Sequence, residues 1–158
     1  MIELKEIEKL ARKFPVEEVL KEHDWKEFER IVAEVFKENE FTVKKNFRFK
    51  INKKYEIDII ARRGNLILCV DCKKWSGGRY KKSGIKKSAK DQEKRTRMME
   101  KYLKNNPLLM KNLKIEGDFE IRPMIVTLME EDLIREGNTF IVPFFKLNSF
   151  LLEIENFF

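Results

Sequence analysis

Residues 55–75, YEIDIIARRGNLILCVDCKKW, predict a β-hairpin that carries two aspartates and a lysine near its open end. The two arms, Glu56 to Ala61 and Leu66 to Lys73, are rich in Ile, Val and Leu, as β-strands are. The Gly64-Asn65 dipeptide between them favours a two-residue hairpin turn. The rest of the chain is therefore expected to support this hairpin.

The turn predicts which residues of the two arms face each other. If Gly64-Asn65 forms the turn, Arg63 faces Leu66, and counting outward pair by pair places Asp58 opposite Asp71. Lys73 follows two residues later on the same face as Asp71. Because like charges directly opposite each other destabilise a strand pair, a bound divalent cation is the simplest physical relief.

Length and composition predict one charged, basic domain over residues 1–158. Charged residues make up 39% of the chain, against about 25% in an average soluble protein. Lys and Glu are abundant, and Gln92 is the single glutamine. This composition is a tendency of thermophile proteins. The net charge of +7 suggests a polyanionic partner, although it also fits a merely soluble protein.

The cysteines and the hydropathy pattern predict a cytoplasmic protein with no membrane segment. The N-terminus MIELKEIEKLARKF is charged every few residues, and no apolar run is long enough to span a bilayer. Cys69 and Cys72 stand three apart on one predicted strand, so their side chains face opposite ways and a disulfide is not expected. Without a second pair, and with His23 as the one histidine, we expect two reduced, buried thiols.

The N-terminal region, residues 2–39, predicts two helices. Apolar spacing predicts a short helix over residues 2–13, which Pro15 ends or interrupts. A capping-box-like Asp24 begins a second helix that runs to about Asn39. Glu29 lies beside its apolar stripe instead of on the solvated face. The stripe consists of Phe28, Ile31, Val32, Val35 and Phe36.

A strand region and a strongly basic region flank the hairpin. Residues 41–53 alternate for much of their length and predict one or two strands. From Lys73 to Arg97 there are eleven Lys or Arg residues against two acids. Within the basic region, residues 76–105, we expect a loop as far as Gly84 and a helix from Ser88 to about Asn105, where Pro107 follows.

The C-terminal region, residues 120–158, predicts strands and a helix. Ile121 to Leu128 indicates a buried strand interrupted near its start by Pro123, and Glu130 to Arg135 a short acidic helical turn. A strand from Thr139 to Phe144 and a helix in the segment LNSFLLEIENFF complete the chain. The order of elements predicts an α/β (α+β) fold with a central mixed β-sheet flanked by helices.

The predicted cluster of two carboxylates and an ammonium suits phosphodiester hydrolysis. Carboxylates are hard oxygen ligands that favour Mg²⁺ or Mn²⁺, which can polarise a phosphoryl group and lower the pKa of a bound water. Lys73 could orient or deprotonate that water, or neutralise charge in the transition state. The basic region directly after it would bind the phosphate backbone of a nucleic acid.

Three short segments carry a family resemblance. The helix segment 25–29 (WKEFE), the strand segment 56–61 (EIDIIA) and the strand segment 70–75 (VDCKKW) resemble the PD-(D/E)XK nuclease superfamily, which has the restriction-endonuclease-like fold. The likeness is greatest to its Mrr-type restriction endonuclease branch and weaker to archaeal Holliday junction resolvases. No proline precedes Asp58, where Ile57 stands instead.

The resemblance implies roles for individual residues. Asp58 and Asp71 would bind the metal, the backbone carbonyl of Cys72 would complete the metal shell, and Lys73 would be the lysine of the second motif. Glu29 matches a helix glutamate that assists metal binding.

Gln92 falls on the helix where some branches place a polar active-site residue, although Thr96 stands where some of them have tyrosine. The resemblance thus implies a metal-dependent DNA endonuclease.

The basic segment supplies the predicted nucleic-acid contacts, which are Lys74, Arg79, Lys81, Lys82, Lys86, Lys87 and Lys90. Three alternatives stay open: a non-catalytic nucleic-acid-binding module on the same fold, a structure-specific, junction-resolving nuclease, and a surface ion-pair cluster of Asp58, Asp71 and Lys73 on an ordinary sheet. The chain could act as a homodimer. The sequence does not distinguish DNA from RNA by its residues alone.

Overall fold

A computed structural model describes residues 25–73, 82–128 and 133–157 of the chain. Within these ranges the elements, in chain order, are α1 (Trp25–Glu38), β1 (Thr42–Ile51), β2 (Lys53–Arg63), β3 (Leu66–Lys73), α2 (Lys82–Lys104), α3 (Pro107–Asn112), β4 (Glu120–Thr127), β5 (Ile134–Glu136), β6 (Thr139–Pro143), α4 (Phe144–Leu152) and a 3₁₀ turn (Ile154–Phe157). No helix in this part of the chain is long and apolar enough to cross a membrane.

The strands of these ranges form a mixed sheet in the order β1-β2-β3-β4-β6-β5. The pairs β1–β2, β2–β3 and β5–β6 are antiparallel, whereas β3–β4 and β4–β6 are parallel. The parallel connection from β3 to β4 runs through α2, as a parallel crossover requires. The expected mixed sheet flanked by helices is therefore confirmed.

Helices cover both faces of the sheet. On one face, α1 and α4 pack on strand residues such as Ile59, Val70 and Val126. On the other face, α2 and the segment after α3 pack on residues such as Ile60 and Ile67. Because β3 and β4 are apolar on both faces, they occupy the middle of the sheet, where both faces are buried.

The predicted helices near the hairpin are confirmed, and their bounds shift slightly. α1 spans nearly the expected residues, and its whole predicted stripe is buried. α2 begins at Lys82, so Gly84 is helical and the expected loop is shorter than predicted. Residues 2–13 lie outside the described part of the chain, and so does most of the expected loop.

The C-terminal predictions need three corrections. Pro123 lies within β4 and does not interrupt it, because β6 pairs with β4 only from Met124 onward and no β6 partner is lost at Pro123. Residues 134–136 form the edge strand β5 instead of the end of a helical turn, and residues 130–132 of that predicted turn lie outside the described part of the chain. The last helix begins at Phe144, directly after β6.

Both cysteines are free and buried, as predicted. Cys69 packs on the α2 side of the sheet and Cys72 on the α1 side. Burial raises the pKa of the Cys69 thiol to about 12, so this thiol stays protonated near neutral pH. These cysteine side chains belong to the core of the fold.

Candidate active site

The β2–β3 hairpin has the predicted register. Arg63 pairs with Leu66 across the turn, and the ladder continues to the pair Ile59 and Val70. Gly64 adopts φ 62, in the left-handed region that glycine tolerates and this turn requires. The next position outward holds Asp58 and Asp71, where the two strands stop pairing while β3 continues along β4 as far as Lys73.

A break in the strand alternation occurs at Asp58. Ile59 packs on the α1 side of the sheet, yet Ile57, only two residues away, packs on the α2 side. In β1 the ladder skips Asn46, which has φ 53 and would face Asp58. Since side chains two apart normally share a face, both strands turn over at this point. At this break, Asp58 is paired with no residue of β1 or β3 in the strand registers.

Asp58 contacts both the backbone and the side chain of the second motif. The backbone N–H of Cys72 donates to Asp58 Oδ2 at 3.0 Å. The pKa of Asp58 is raised to about 7 by burial, by a hydrogen bond with the Asp71 side chain and by the charges of Asp71 and Glu29, against the lowering effect of the Cys72 N–H. Near neutral pH, a large fraction of Asp58 therefore keeps its proton when no cation is present.

Asp71 and Lys73 form an ion pair beside Asp58. Lys73 Nζ lies 3.3 Å from Asp71 Oδ2, with about a third of the lysine side chain exposed. The same Oδ2 atom is buried and accepts no hydrogen bond from the residues that the structure describes. The ammonium is thus close enough for a charge interaction, while the oxygen keeps its capacity to accept a further ligand.

Glu29 lies in α1 on the other side of this cluster. Its side chain is buried, and its charge raises the pKa of both Asp58 and the Cys72 thiol. Glutamate side chains are rarely buried unless their charge is paired. The structure therefore brings this predicted residue near Asp58.

Gln92 is buried between α2 and β3. Its Nε2 donates to the carbonyl of Cys69 at 2.8 Å, and its Oε1 accepts from Arg95 Nη1 at 2.9 Å. Both ends of the amide are thus engaged by the protein. The side chain does not line the cavity described next, but it holds Arg95, which does.

A cavity of about 530 Å³ opens over the two aspartates. Four acidic residues belong to its lining, which are Asp58, Asp71, Asp91 and Glu56. The other lining residues are Lys53, Lys54 and Tyr55 from β2 and Lys94 and Arg95 from α2. None of these four basic residues was among the predicted contact residues, although Lys94 and Arg95 lie in the predicted basic region. Lys94 follows Lys87 by seven residues, a helical spacing that places them on one side.

The predicted basic contacts divide between the two sides of α2. Lys87, Asp91 and Lys94 follow one another at spacings of four and three, so they share the side that borders the cavity.

Lys86 and Lys90 align instead with Glu93 and Arg97, which line a separate groove against β4. Lys86, Lys87 and Lys90 are all exposed. The side chain of Lys82 and all of Lys74, Arg79 and Lys81 lie outside the described part.

The described residues contain no group of three His, Cys, Asp or Glu side chains arranged to hold a metal ion. The candidate ligand atoms that come together are the carboxylate oxygens of Asp58 and Asp71. Among them, Asp71 Oδ2 accepts no hydrogen bond from the described residues. Mg²⁺ commonly binds through one or two carboxylates, keeping several waters and taking substrate phosphates as further ligands. This two-carboxylate set fits that cation better than one needing a closed protein cage.

Comparison with known proteins adds a family to this geometry. The family model described as "NERD: Nuclease-related domain" matches residues 24–127, which include α1, the hairpin, α2 and β4. The chain is also 31% identical over 131 residues to an uncharacterized protein of Archaeoglobus fulgidus, covering 82% of this chain and 91% of the relative. The matched residues hold every predicted site residue. The chain thus belongs to the nuclease-related domain (NERD) family, a nuclease-like module within the PD-(D/E)XK-like superfamily.

Proposed function

We propose that this protein is a metal-dependent DNA endonuclease that hydrolyses phosphodiester bonds. The observation that carries the proposal is the meeting of Asp58, Asp71 and Lys73 at the open end of the hairpin, beside a cavity whose lining includes four basic side chains. Two facing acids would not stabilise a sheet that had only a structural role. A phosphate-binding module without chemistry would gain nothing from acids that repel phosphate.

Asp58, Asp71 and the backbone carbonyl of Cys72 would hold the cation, Mg²⁺ or Mn²⁺. Because the N–H of Cys72 reaches Asp58, and the N–H and C=O of an extended residue share one edge of the strand, its carbonyl faces the same side. When bound, the cation would polarise the phosphoryl group and lower the pKa of an attacking water. Asp58 would have to release the proton that its raised pKa retains before it could hold the cation.

The remaining site residues bind and orient. The Lys73 ammonium, paired with Asp71, would neutralise negative charge that develops on the phosphate oxygens. Glu29 would strengthen cation binding through its negative charge on the α1 side. Gln92 is proposed as a positioning residue, because it ties Arg95 to the β3 backbone beside Asp71.

Cleavage assays test the proposal directly. The protein is incubated with supercoiled, linear, single-stranded and four-way-junction DNA, and with RNA, in Mg²⁺, in Mn²⁺ and in EDTA. We expect cleavage of DNA that requires the cation and is lost in Asp58→Ala and Lys73→Ala. Lys111→Ala, an exposed lysine on α3, is the matched control and should cleave normally.

The same assay separates the alternatives. Salt-sensitive binding with no cleavage in either metal would replace the enzyme by a non-catalytic module. Cleavage confined to the four-way junction would identify a junction-resolving nuclease. The Mrr-type likeness, which rests on the three short segments, would gain support from cleavage of linear duplex DNA.

A further inference from the structure

We infer that the cavity over Asp58 and Asp71 is a groove that binds the backbone of one unpaired DNA strand, with Lys53 and Lys54 on one wall and Lys94 and Arg95 on the other. The inference rests on the proposed nuclease function and specifies its substrate. It assigns phosphate contacts to four residues that are not among the contacts predicted from the sequence, two on β2 and two farther along α2.

The two walls come from different elements and face the same space. Lys53 and Lys54 begin β2, directly after the β1–β2 turn, and Lys94 and Arg95 lie on the cavity side of α2. Asp58 and Asp71 line the cavity between them. A phosphate group in this space would meet cations from both sides, while its phosphorus lay near the two carboxylates.

Both walls have side chains that are held in place. The Lys53 ammonium lies 5.2 Å from the centroid of the Tyr55 ring, which itself stacks on Phe49 at 5.3 Å. On the opposite wall, Gln92 accepts a hydrogen bond from Arg95. Cations that are already ordered lose less side-chain entropy when they bind a phosphate.

The groove continues away from the aspartates. A second cavity of about 510 Å³ shares Lys54, Tyr55 and Glu56 with the first and adds Arg48, Phe49 and Lys50. Arg48 pairs with Glu56 at 2.9 Å, which offsets the glutamate charge along this path. A strand of several nucleotides could therefore run from the aspartates along the start of β2.

The shape of the groove favours one strand over a duplex. Each cavity has the volume of a small-ligand site, which suits one or two nucleotides. In a duplex, the bases of each strand pair with those of a second strand. If the backbone of one strand lay between the two walls, the second strand would clash with one of them. The scissile strand should consequently be single or locally unpaired.

Equilibrium binding in EDTA tests the groove separately from cleavage. Fluorescence anisotropy is measured with a labelled single-stranded oligonucleotide and with a blunt duplex over a range of salt concentrations. The variants are Lys53→Gln/Lys54→Gln for one wall and Lys94→Gln/Arg95→Gln for the other. Lys111→Gln/Lys114→Gln removes the same charge from α3 and the turn after it, which line neither cavity, and is the matched control.

We expect each wall variant to weaken single-strand binding and to lower the slope of log K against log salt by roughly 1.4, about 0.7 for each lost phosphate contact. The control should change the slope by much less, and the wild type should bind the single strand more tightly than the duplex at equal salt. Circular dichroism and thermal melting verify that each variant is folded.

Two results would overturn the inference: a control as impaired as the wall variants, or duplex binding that is tighter and equally dependent on both walls. Neither result depends on catalysis. A protein that binds a single strand through both walls but never cleaves in Mg²⁺ or Mn²⁺ would keep the groove and refute the endonuclease.

Discussion

Asp58 is the residue on which the proposed chemistry and the stability of the site both depend. It is buried enough to resist ionisation, yet it faces a second carboxyl group and a backbone N–H. Placing two acids together costs free energy in the metal-free protein, and binding of the proposed cation would offset that cost. Single substitutions at these acids can therefore separate stability from function.

The pKa of Asp58 predicts how stability depends on pH. Its ordinary value is 3.8 and its folded value about 7, so between these pH values the folded protein holds a proton that the unfolded chain has released. The metal-free protein should thus lose stability as the pH rises from about 4 to about 7. Thermal melting in EDTA across this range checks it, and Asp58→Asn should show a flatter profile. A wild-type profile as flat as that of the variant would contradict the expectation.

Asp71→Asn should remove metal binding while it leaves the fold intact. The substitution relieves the repulsion between facing acids at pH 8 and loses only a partly exposed ion pair with Lys73, so the free energy of unfolding should change by less than about 1 kcal/mol. Urea unfolding in EDTA measures this, and the melting temperature with added Mg²⁺ measures cation binding. A large loss of stability in EDTA would instead identify Asp71 as a structural ion-pair residue.

At the scale of elements, the break opposite Asp58 in the β1–β2 pair is the feature that makes the site. Asn46 adopts φ 53 between the paired positions Lys45 and Phe47. Asn and Gly tolerate this region, whereas a β-branched residue does not. The break, and with it the placement of Asp58, should therefore depend on the residue at position 46.

A matched pair of substitutions tests the break. Asn46→Gly should preserve both stability and cleavage, because glycine adopts the same backbone angles freely. Asn46→Val should cost about 1–2 kcal/mol of unfolding free energy and lower the cleavage rate with it. Urea unfolding and the cleavage assay are compared for both variants. Equal behaviour of the two would show that the positive φ at this position has no part in the site.

The two described edges of the sheet carry features that oppose pairing with another sheet. The long edge strand β1 exposes lysines and an arginine, and β5 at the other edge has three residues. Joining two copies along β1 would bring like charges together. The homodimer considered from the sequence stays a prediction, and these edges favour a different surface for it.

At the scale of the whole molecule, cation binding should stabilise the fold. A ligand that binds only the folded state adds about 2.7 kcal/mol when its concentration is 100 times its Kd. We expect Mg²⁺ to raise the melting temperature at pH 8 in the wild type and EDTA to reverse it, with no rise in Asp58→Asn. A rise of equal size in that variant would place the bound cation elsewhere.

Much of the site could be predicted from local sequence. The Gly64-Asn65 turn and the apolar arms determine the hairpin register, and thereby the facing of Asp58 and Asp71, because turn geometry and the two-residue strand period act over short distances. The helix around Glu29 and its buried stripe follow from the helical period in the same way.

Only the tertiary structure decided which distant residues share the site. Lys94 and Arg95 face Lys53 and Lys54 because α2 crosses the sheet between β3 and β4, and Gln92 meets the Cys69 carbonyl for the same reason. A periodic pattern predicts which side of a helix is buried. It does not predict which strand that side packs against, or at which position along the strand. The sequence by itself therefore determined the acid pair and the lysine, whereas the basic groove above them arises from how the elements pack.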